Sequence, residues 1–266
     1  RKLVEQYKEQ FMLKNGAMGR TTLVQHEIHT LEKAAIKQRP RREAYGTQPI
    51  IREEIEKMLA QDVIEPSTSA WASPIVLVKK KDGTSRFCVD YRRLNEVTIK
   101  DAYPLPRIED NLDALQGACW FSTLDLASGY WQVEVRPEDR EKTAFCTKQG
   151  LHQFKVMPFG LCNAPGTFER LMESVLRGMQ WERAVLYLDD IIIFSKDVAT
   201  HMERIQEVFQ RLQEANLKLK PSKCQFFKEQ VEFLGHVVSK DGVATDPKKI
   251  EAVKEWRTPR NVKEVR

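Results

Sequence analysis

An α+β fold in one continuous body is what this sequence predicts, and three observations lead there. Apolar strand-like runs bounded by turn residues recur through the middle of the chain. Helical stripes, with apolar residues at steps of three and four, lie between and after them. No internal repeat, low-complexity tract or flexible linker separates the two kinds of segment, so subdomains interwoven in sequence are expected. At 266 residues the chain is longer than one average domain and shorter than two comfortable ones.

Composition narrows the class. With 41% hydrophobic and 30% charged residues, a mean hydropathy of −0.50 and no apolar run near the roughly 18 residues of a bilayer span, disordered and membrane-embedded chains are excluded. The 43 Lys and Arg against 38 Asp and Glu leave +5, which permits a nucleic-acid partner without demanding one. Cys88, Cys119, Cys146, Cys162 and Cys224 are odd in number and form no C-x-x-C pair. They read as reduced, mostly buried thiols of an intracellular protein, with no disulfide framework or zinc knuckle. Beginning at Arg1, with neither an initiator Met nor a signal segment, the chain reads as a piece of something longer.

The elements follow in order. Leu3, Val4, Tyr7 and Phe11 have helical spacing, and a loop with Gly16 and Gly19 ends that segment. His26 and His29 form H-x-x-H, but two imidazoles alone cannot close a tetrahedral metal site. Lys37, Arg39, Arg41 and Arg42 surround Pro40 in a basic extended stretch, read as a solvated arm with phosphate contact as the alternative. Ile51, Ile55, Met58 and Leu59 mark a helix. Residues 74–79 and 86–91, joined through Asp82-Gly83, make a hairpin with a basic tip. A short helix with Ile108, Leu112 and Leu115 ends near Gly117 and leads to a strand over 119–124 that delivers Asp125. After Asn163-Ala164-Pro165, residues Phe168, Leu171, Met172, Val175, Leu176 and Met179 form a core-packing helical stripe, and Met202, Ile205, Val208, Phe209 and Leu212 form another. Strands return over 231–238, and Asp246-Pro247 reads as an N-cap followed by proline at the first helical position. No closing element is expected over 259–266.

One stretch carries most of the functional information: AVLYLDDIIIF, residues 184–194. Nine of its eleven residues are apolar, as in buried strands, yet Asp189 and Asp190 interrupt them. Buried neighbouring carboxylates repel and are costly to desolvate, so something cationic belongs beside them. A solvated Asx turn is the bland reading, but a structural two-residue turn prefers Asn-Gly or Asp-Gly, and Asp-Asp-Ile supplies positive φ poorly. Asp125 is a third carboxylate at the end of an apolar strand. Three on neighbouring strands would make a cluster of hard oxygen ligands suited to Mg²⁺. Two such ions, roughly 3.5 to 4 Å apart, serve in-line phosphoryl displacement. The constellation points to nucleotidyl transfer.

In order along the chain, SPIVLVKKKDG (73–83), RFCVDYRRLN (86–95), YPLPRI (103–108), FSTLDLASGY (121–130), MPFGL (157–161), NAP (163–165), YLDD (187–190) and FLGH (233–236) resemble the reverse transcriptase of gypsy-type LTR retrotransposons. Ordered blocks spanning essentially the whole chain are far more specific than the Y-x-D-D box alone. The resemblance implies a right-hand polymerase, with an antiparallel palm sheet packed on helices and a truncated thumb. Its expected parts are an N-terminal extension (1–50), fingers (51–100 and 133–163), palm (101–132 and 164–240) and the start of the thumb (241–266). Without the full thumb, weak retention of primer and template is expected.

By the same resemblance Asp125, Asp189 and Asp190 are the catalytic carboxylates, and with the Leu126 carbonyl they hold two Mg²⁺ ions, for which Mn²⁺ can substitute. Lys80 and Arg86 hold the nucleotide's triphosphate, chemistry that suits an ammonium and a planar guanidinium. Gly129 and Tyr130 lie under the sugar, with Tyr130 as the steric gate against a 2′-hydroxyl. Phe159 takes the place where retroviral enzymes typically carry Gln. Leu234 and Gly235 form the primer grip, and Tyr187 joins them in contacting primer or template. Lys218, Lys220 and Lys223 lie within reach of nucleic-acid phosphates, with a solvated charged face as the alternative.

The implied activity is RNA- and DNA-directed DNA synthesis in retrotransposon replication. Implied partners are a primed RNA or DNA template, deoxynucleoside triphosphates (dNTPs), and the RNase H and integrase segments of a parent Pol polyprotein. No membrane is implied, and the implied location is cytoplasmic, within retrotransposon particles. An RNA-templated RNA polymerase is the rival within the class, although it would normally lack a bulky gate at Tyr130. A non-catalytic nucleic-acid-binding remnant is the rival outside it, and loss of an Asp would have supported that reading.

Overall fold

The computed structural model describes residues 2–12, 18–31, 34–79, 83, 85–254 and 258–262. Its helices are α1 (Lys2–Gln6), α2 (Gln48–Ala60), α3 (Arg92–Val97), α4 (Ile108–Asp113), α5 (Ala164–Val175), α6 (Val198–Glu214) and α7 (Pro247–Lys254). The strands are β1 (Thr21–His26), β2 (Ile64–Pro66), β3 (Ser73–Lys79), β4 (Ser85–Val89), β5 (Trp120–Asp125), β6 (Val133–Val135), β7 (Phe145–Thr147), β8 (Gly150–Phe154), β9 (Ala184–Tyr187), β10 (Asp190–Ser195), β11 (Gln225–Lys228), β12 (Gln230–Phe233), β13 (His236–Ser239) and β14 (Gly242–Thr245). This is the α+β architecture expected.

Four sheets organise these strands: β2-β8-β7-β3-β4, β11-β5-β10-β9, β12-β13-β14, and the parallel pair β1-β6. The expected hairpin is β3–β4, with Lys79 opposite Ser85. Its tip at Lys80–Asp82 lies outside the described residues, as do the loop expected around Gly16 and residues 263–266.

The antiparallel β11-β5-β10-β9 sheet is the centre of the molecule, and alternation along β10 explains why. Ile191 and Ile193 join the larger core, which includes Phe168 and Met172 of α5 and Val208 and Phe209 of α6. Ile192 and Phe194 point the other way, into a second cluster with Leu112, Leu115, Val231 and Phe233. Period-two side-chain alternation thus makes an almost wholly apolar strand bury both faces, with helices on one side and the β12–β14 meander on the other. Ser122 and Ser195, on neighbouring strands, bond the buried His201 ring at 2.8 and 3.0 Å. Phe227 N–H donates to Ser122 Oγ, and Ser195 Oγ donates to the Asp197 carbonyl. That polarity gives His201 an Nδ1–H tautomer, with Nε2 accepting from Ser122. Burial lowers its pKa to about 4, so it is neutral at physiological pH.

Several expectations are corrected. The opening helix is shorter than its spacing suggests, a 3₁₀ turn replacing its second half. Tyr7 and Phe11 still dock edge-on or tilted against Phe209, at 5.4 and 5.6 Å. Met202 and Leu59 are exposed although their spacing placed them on the apolar faces. The five cysteines are free and half-buried, none fully enclosed. Strand β1 went unread, because only its parallel pairing with β6 stabilises it. Buried His26 bonds Thr167 Oγ1 at 2.9 Å while His29 pairs with Glu27, so the H-x-x-H residues do not converge. Arg41 of the basic stretch pairs with Asp90.

Candidate active site

The site begins with a turn. Tyr187 faces Asp190 across β9 and β10, leaving Leu188 and Asp189 as the two loop residues. Leu188 has φ +56°, a left-handed conformation that costs a residue with a Cβ roughly 1–2 kcal/mol. Its N–H donates to Glu169 Oε2 of α5 at 2.9 Å. Two strands away in sequence and one in space, Asp125 closes β5 directly opposite Asp190. Strand register therefore gathers three carboxylates at one end of the central sheet.

Their electrostatics are those of an under-neutralised cluster. Asp190 begins its strand facing solvent, yet desolvation, then the like charges of Asp189 and Asp125, raise its carboxyl pKa, with Lys223 opposing. Lys223 Nζ sits 2.6 Å from Asp125 Oδ2, and that hydrogen bond is the main cause of its own raised pKa. The sequence placed Lys223 near nucleic-acid phosphates; here it is the cation beside the carboxylates. Lys218 instead donates to the Glu9 carbonyl at 2.7 Å.

Among the described residues no group of three His, Cys, Asp or Glu side chains converges into a closed metal cage. The donor chemistry nevertheless fits a hard divalent cation that takes one or two carboxylates and fills its octahedron with water and substrate oxygens. The Leu126 carbonyl also fits. Ala127 N–H donates to the Lys218 carbonyl and Lys220 N–H to that of Asp125, making Leu126–Leu219 a non-hydrogen-bonded pair. Its carbonyl therefore points away from Leu219, toward the side where β10 begins.

The residues expected around a nucleotide come together as an aromatic column. Tyr130 stacks on Phe159 at 5.0 Å between ring centroids, and the Arg86 guanidinium lies 5.0 Å above the other ring position, over Phe159. Tyr130 also leans on Phe168 of α5 at 5.3 Å. Burial, then Asp189 and Glu169, push its phenol pKa to about 12, so the ring carries an intact O–H. Gly129 is required by packing, since a Cβ there would meet Phe168 at 2.9 Å. Lys80 lies outside the described residues.

Leu234 and Gly235 form the two-residue loop of the β12–β13 hairpin, with Phe233 opposite His236. Leu234 and the partly buried Tyr187 both pack on the second core cluster, which links this hairpin to the carboxylate turn through one apolar layer. Glu169 was missed. It is fully buried, and burial raises its pKa to about 7. The available signal was its place on the α5 stripe, three residues before Met172 and seven before Leu176, where a carboxylate interrupts core spacing.

The family model for reverse transcriptase (RNA-dependent DNA polymerase) matches residues 78–238. The retrovirus-related Pol polyprotein from transposon 297 of Drosophila melanogaster is 40% identical over 253 residues, 92% of this chain and 24% of its own length. That from transposon gypsy of the same species is 38% identical over 265 residues, 97% of this chain and 26% of its own. This chain spans about a quarter of the length of these curated relatives. Foamy viral protease-reverse transcriptase in complex with an RNA/DNA hybrid matches with a TM-score of 0.89 and 25% identity, over 99% of this chain and 36% of that one. Its complex with double-stranded DNA gives 0.91 and 26%, over 99% and 55%. Their architecture of fingers and palm is the arrangement of sheets and helices described above.

Proposed function

The chain belongs to the reverse transcriptase (RNA-dependent DNA polymerase) family, and on that premise we propose that it extends a primer 3′-hydroxyl with dNTPs along an RNA or DNA template, in retrotransposon replication. The observation that carries the proposal is the meeting of Asp125 and Asp190 in register, with Asp189 in the adjoining turn, at the end of a doubly buried sheet. Nothing in core packing calls for three carboxylates there, and their mutual repulsion is the kind of cost retained for function.

Each residue then has a task. Asp125 and Asp189, with the Leu126 carbonyl and with Asp190 beside them, would hold two Mg²⁺ ions. When bound, Mg²⁺ supplies Lewis acidity to the attacking hydroxyl and charge neutralisation to the departing pyrophosphate. Arg86 presents a fork of N–H donors to triphosphate oxygens, steadied by the Phe159 face, and Lys80 serves the same anion. Tyr130, braced by Phe159 and Phe168 and crowded by Gly129, keeps a rigid ring where a 2′-hydroxyl would stand. Leu234, Gly235 and Tyr187 support the primer end. The fingers, palm and incipient thumb divide as the sequence suggests, and the other partners are the RNase H and integrase segments of a parent polyprotein.

Primer extension on an RNA template with dNTPs and Mg²⁺, beside an Asp189→Asn control, tests the reading. Elongation by the wild-type chain alone is expected; equal extension by both proteins contradicts it. Tyr130→Ala should raise ribonucleotide incorporation at least tenfold, ~1.4 kcal/mol of lost discrimination, and unchanged sugar selectivity would remove the gate role.

A further inference from the structure

Strand β9 is the edge of the central sheet, and an edge strand leaves alternate backbone groups without a ladder partner. Tyr187 and Asp190 face each other at the hairpin end, so the intervening geometry turns the Leu186 carbonyl and the Leu188 N–H to the free side. Both are met by buried side chains from different helices. Asn111 of α4 donates through Nδ2 to the Leu186 carbonyl at 3.1 Å, and Glu169 of α5 accepts the Leu188 N–H at 2.9 Å. Two side chains thus do for the last turn of β9 what a neighbouring strand would do.

The remaining atoms of these side chains point to a third member. Glu169 Oε1 and Asn111 Oδ1 are both buried with no hydrogen-bond partner, although their residues are almost completely enclosed. Leaving two acceptors unsatisfied is expensive. Both residues line one cavity of about 10 Å³, closed by Pro106, Trp181, Val185 and Leu186. That is about the space one water needs, and a water can donate one hydrogen to each oxygen.

We propose that Glu169 and Asn111, bridged by one buried water, form a clamp that holds the β9 edge and the left-handed Leu188 turn, and thereby fixes where the Asp189 carboxylate stands. Glu169 is a positioning residue, acting on the reaction through Leu188 and Asp189. The clamp rests on the polymerase reading only for its catalytic consequence.

The test uses the full chain and two readouts. Hydrogen exchange at the Leu188 amide reports the clamp, whatever the protein catalyses. Single-nucleotide addition on a primed RNA template reports its consequence. Glu169→Met, similar in length but without an acceptor, should speed Leu188 exchange about tenfold and lower kcat by about 10- to 100-fold, with KM for dNTP nearly unchanged. Glu169→Gln keeps an acceptor and should restore both to within about threefold of wild type. Asn111→Leu supplies an independent arm if Glu169→Met does not fold, with smaller shifts in the same direction. Wild-type Leu188 exchange in folded Glu169→Met or in Asn111→Leu would overturn the clamp. Faster exchange with an unchanged kcat would overturn its positioning role. Absence of nucleotide addition by every protein, the wild type included, would count against the polymerase reading and leave the exchange result to decide the clamp.

Discussion

Two hairpin turns face the same apolar layer and are built differently. The Phe233–His236 turn puts Leu234 at φ +49° and follows it with Gly235 at +76°, so the residue best suited to positive φ supplies half of the bend. Its companion hydrogen bond is local, between His236 Nδ1 and the Leu234 carbonyl at 3.3 Å. The Tyr187–Asp190 turn puts Leu188 at +56° and follows it with an aspartate. Its support is Glu169, nineteen residues earlier in the chain. One turn is specified by its own residues, and the other is held in place from outside. Strain that glycine relieves in one is retained in the turn that presents a carboxylate.

The largest expected effect breaks the contrast at its chemistry. Asp189→Asn should reduce nucleotide addition by about 10³-fold or more, while the midpoint of urea unfolding stays the same or rises because a repulsive charge is gone. An unfolding midpoint lowered together with activity would make Asp189 a structural residue.

Acid should loosen the two turns unequally. His201 ties β5 to β10, the strands that carry Asp125 and Asp190, and has no such part in the β12–β13 hairpin. Its folded pKa is lowered, from 6.5 to about 4, so its stabilisation is fully present above the unfolded value and is lost as pH falls from about 6.5 toward 4. The linked loss is at most about 3 kcal/mol, read from unfolding free energies across that interval. His201→Gln should flatten that part of the profile, and an unchanged slope would contradict the assignment.

Backbone substitutions should show smaller differences. Gly235→Ala places a Cβ at φ +76° and should destabilise by about 1 kcal/mol, whereas Leu188→Gly relieves strain while enlarging unfolded-state freedom, with a net near zero. Equal losses in urea titrations would erase the distinction between the turns. Smallest is the effect of Lys223→Met. Removing the ammonium beside Asp125 should tighten Mn²⁺ binding to the protein alone about threefold, and weaker binding would reverse the role assigned to Lys223.

The same contrast explains what was legible beforehand. The strand ending at Asp125, the YLDD turn and the α5 stripe could be read because local pattern and chemistry sit in contiguous residues. The pairing of Asp125 with Asp190 could be inferred only as a neighbourhood, and the structure gives it a register. Glu169, Asn111 and His201 act through partners 19, 75 and 79 residues away, and no local period announces such bonds. Lys223 was read as a nucleic-acid contact because sequence conveys its charge but not that Asp125 lies 2.6 Å from it. Strand β1 escaped for the related reason that a parallel partner, β6, lies more than a hundred residues on.

The central claim is that Asp125, Asp189 and Asp190 form one divalent-cation site, and counting bound Mn²⁺ by electron paramagnetic resonance tests it most directly. With a primed RNA template and a non-hydrolysable dNTP analogue, about two ions should bind per wild-type chain, and Asp125→Asn and Asp189→Asn should each lose at least one. Wild-type stoichiometry and affinity in both variants would contradict the account.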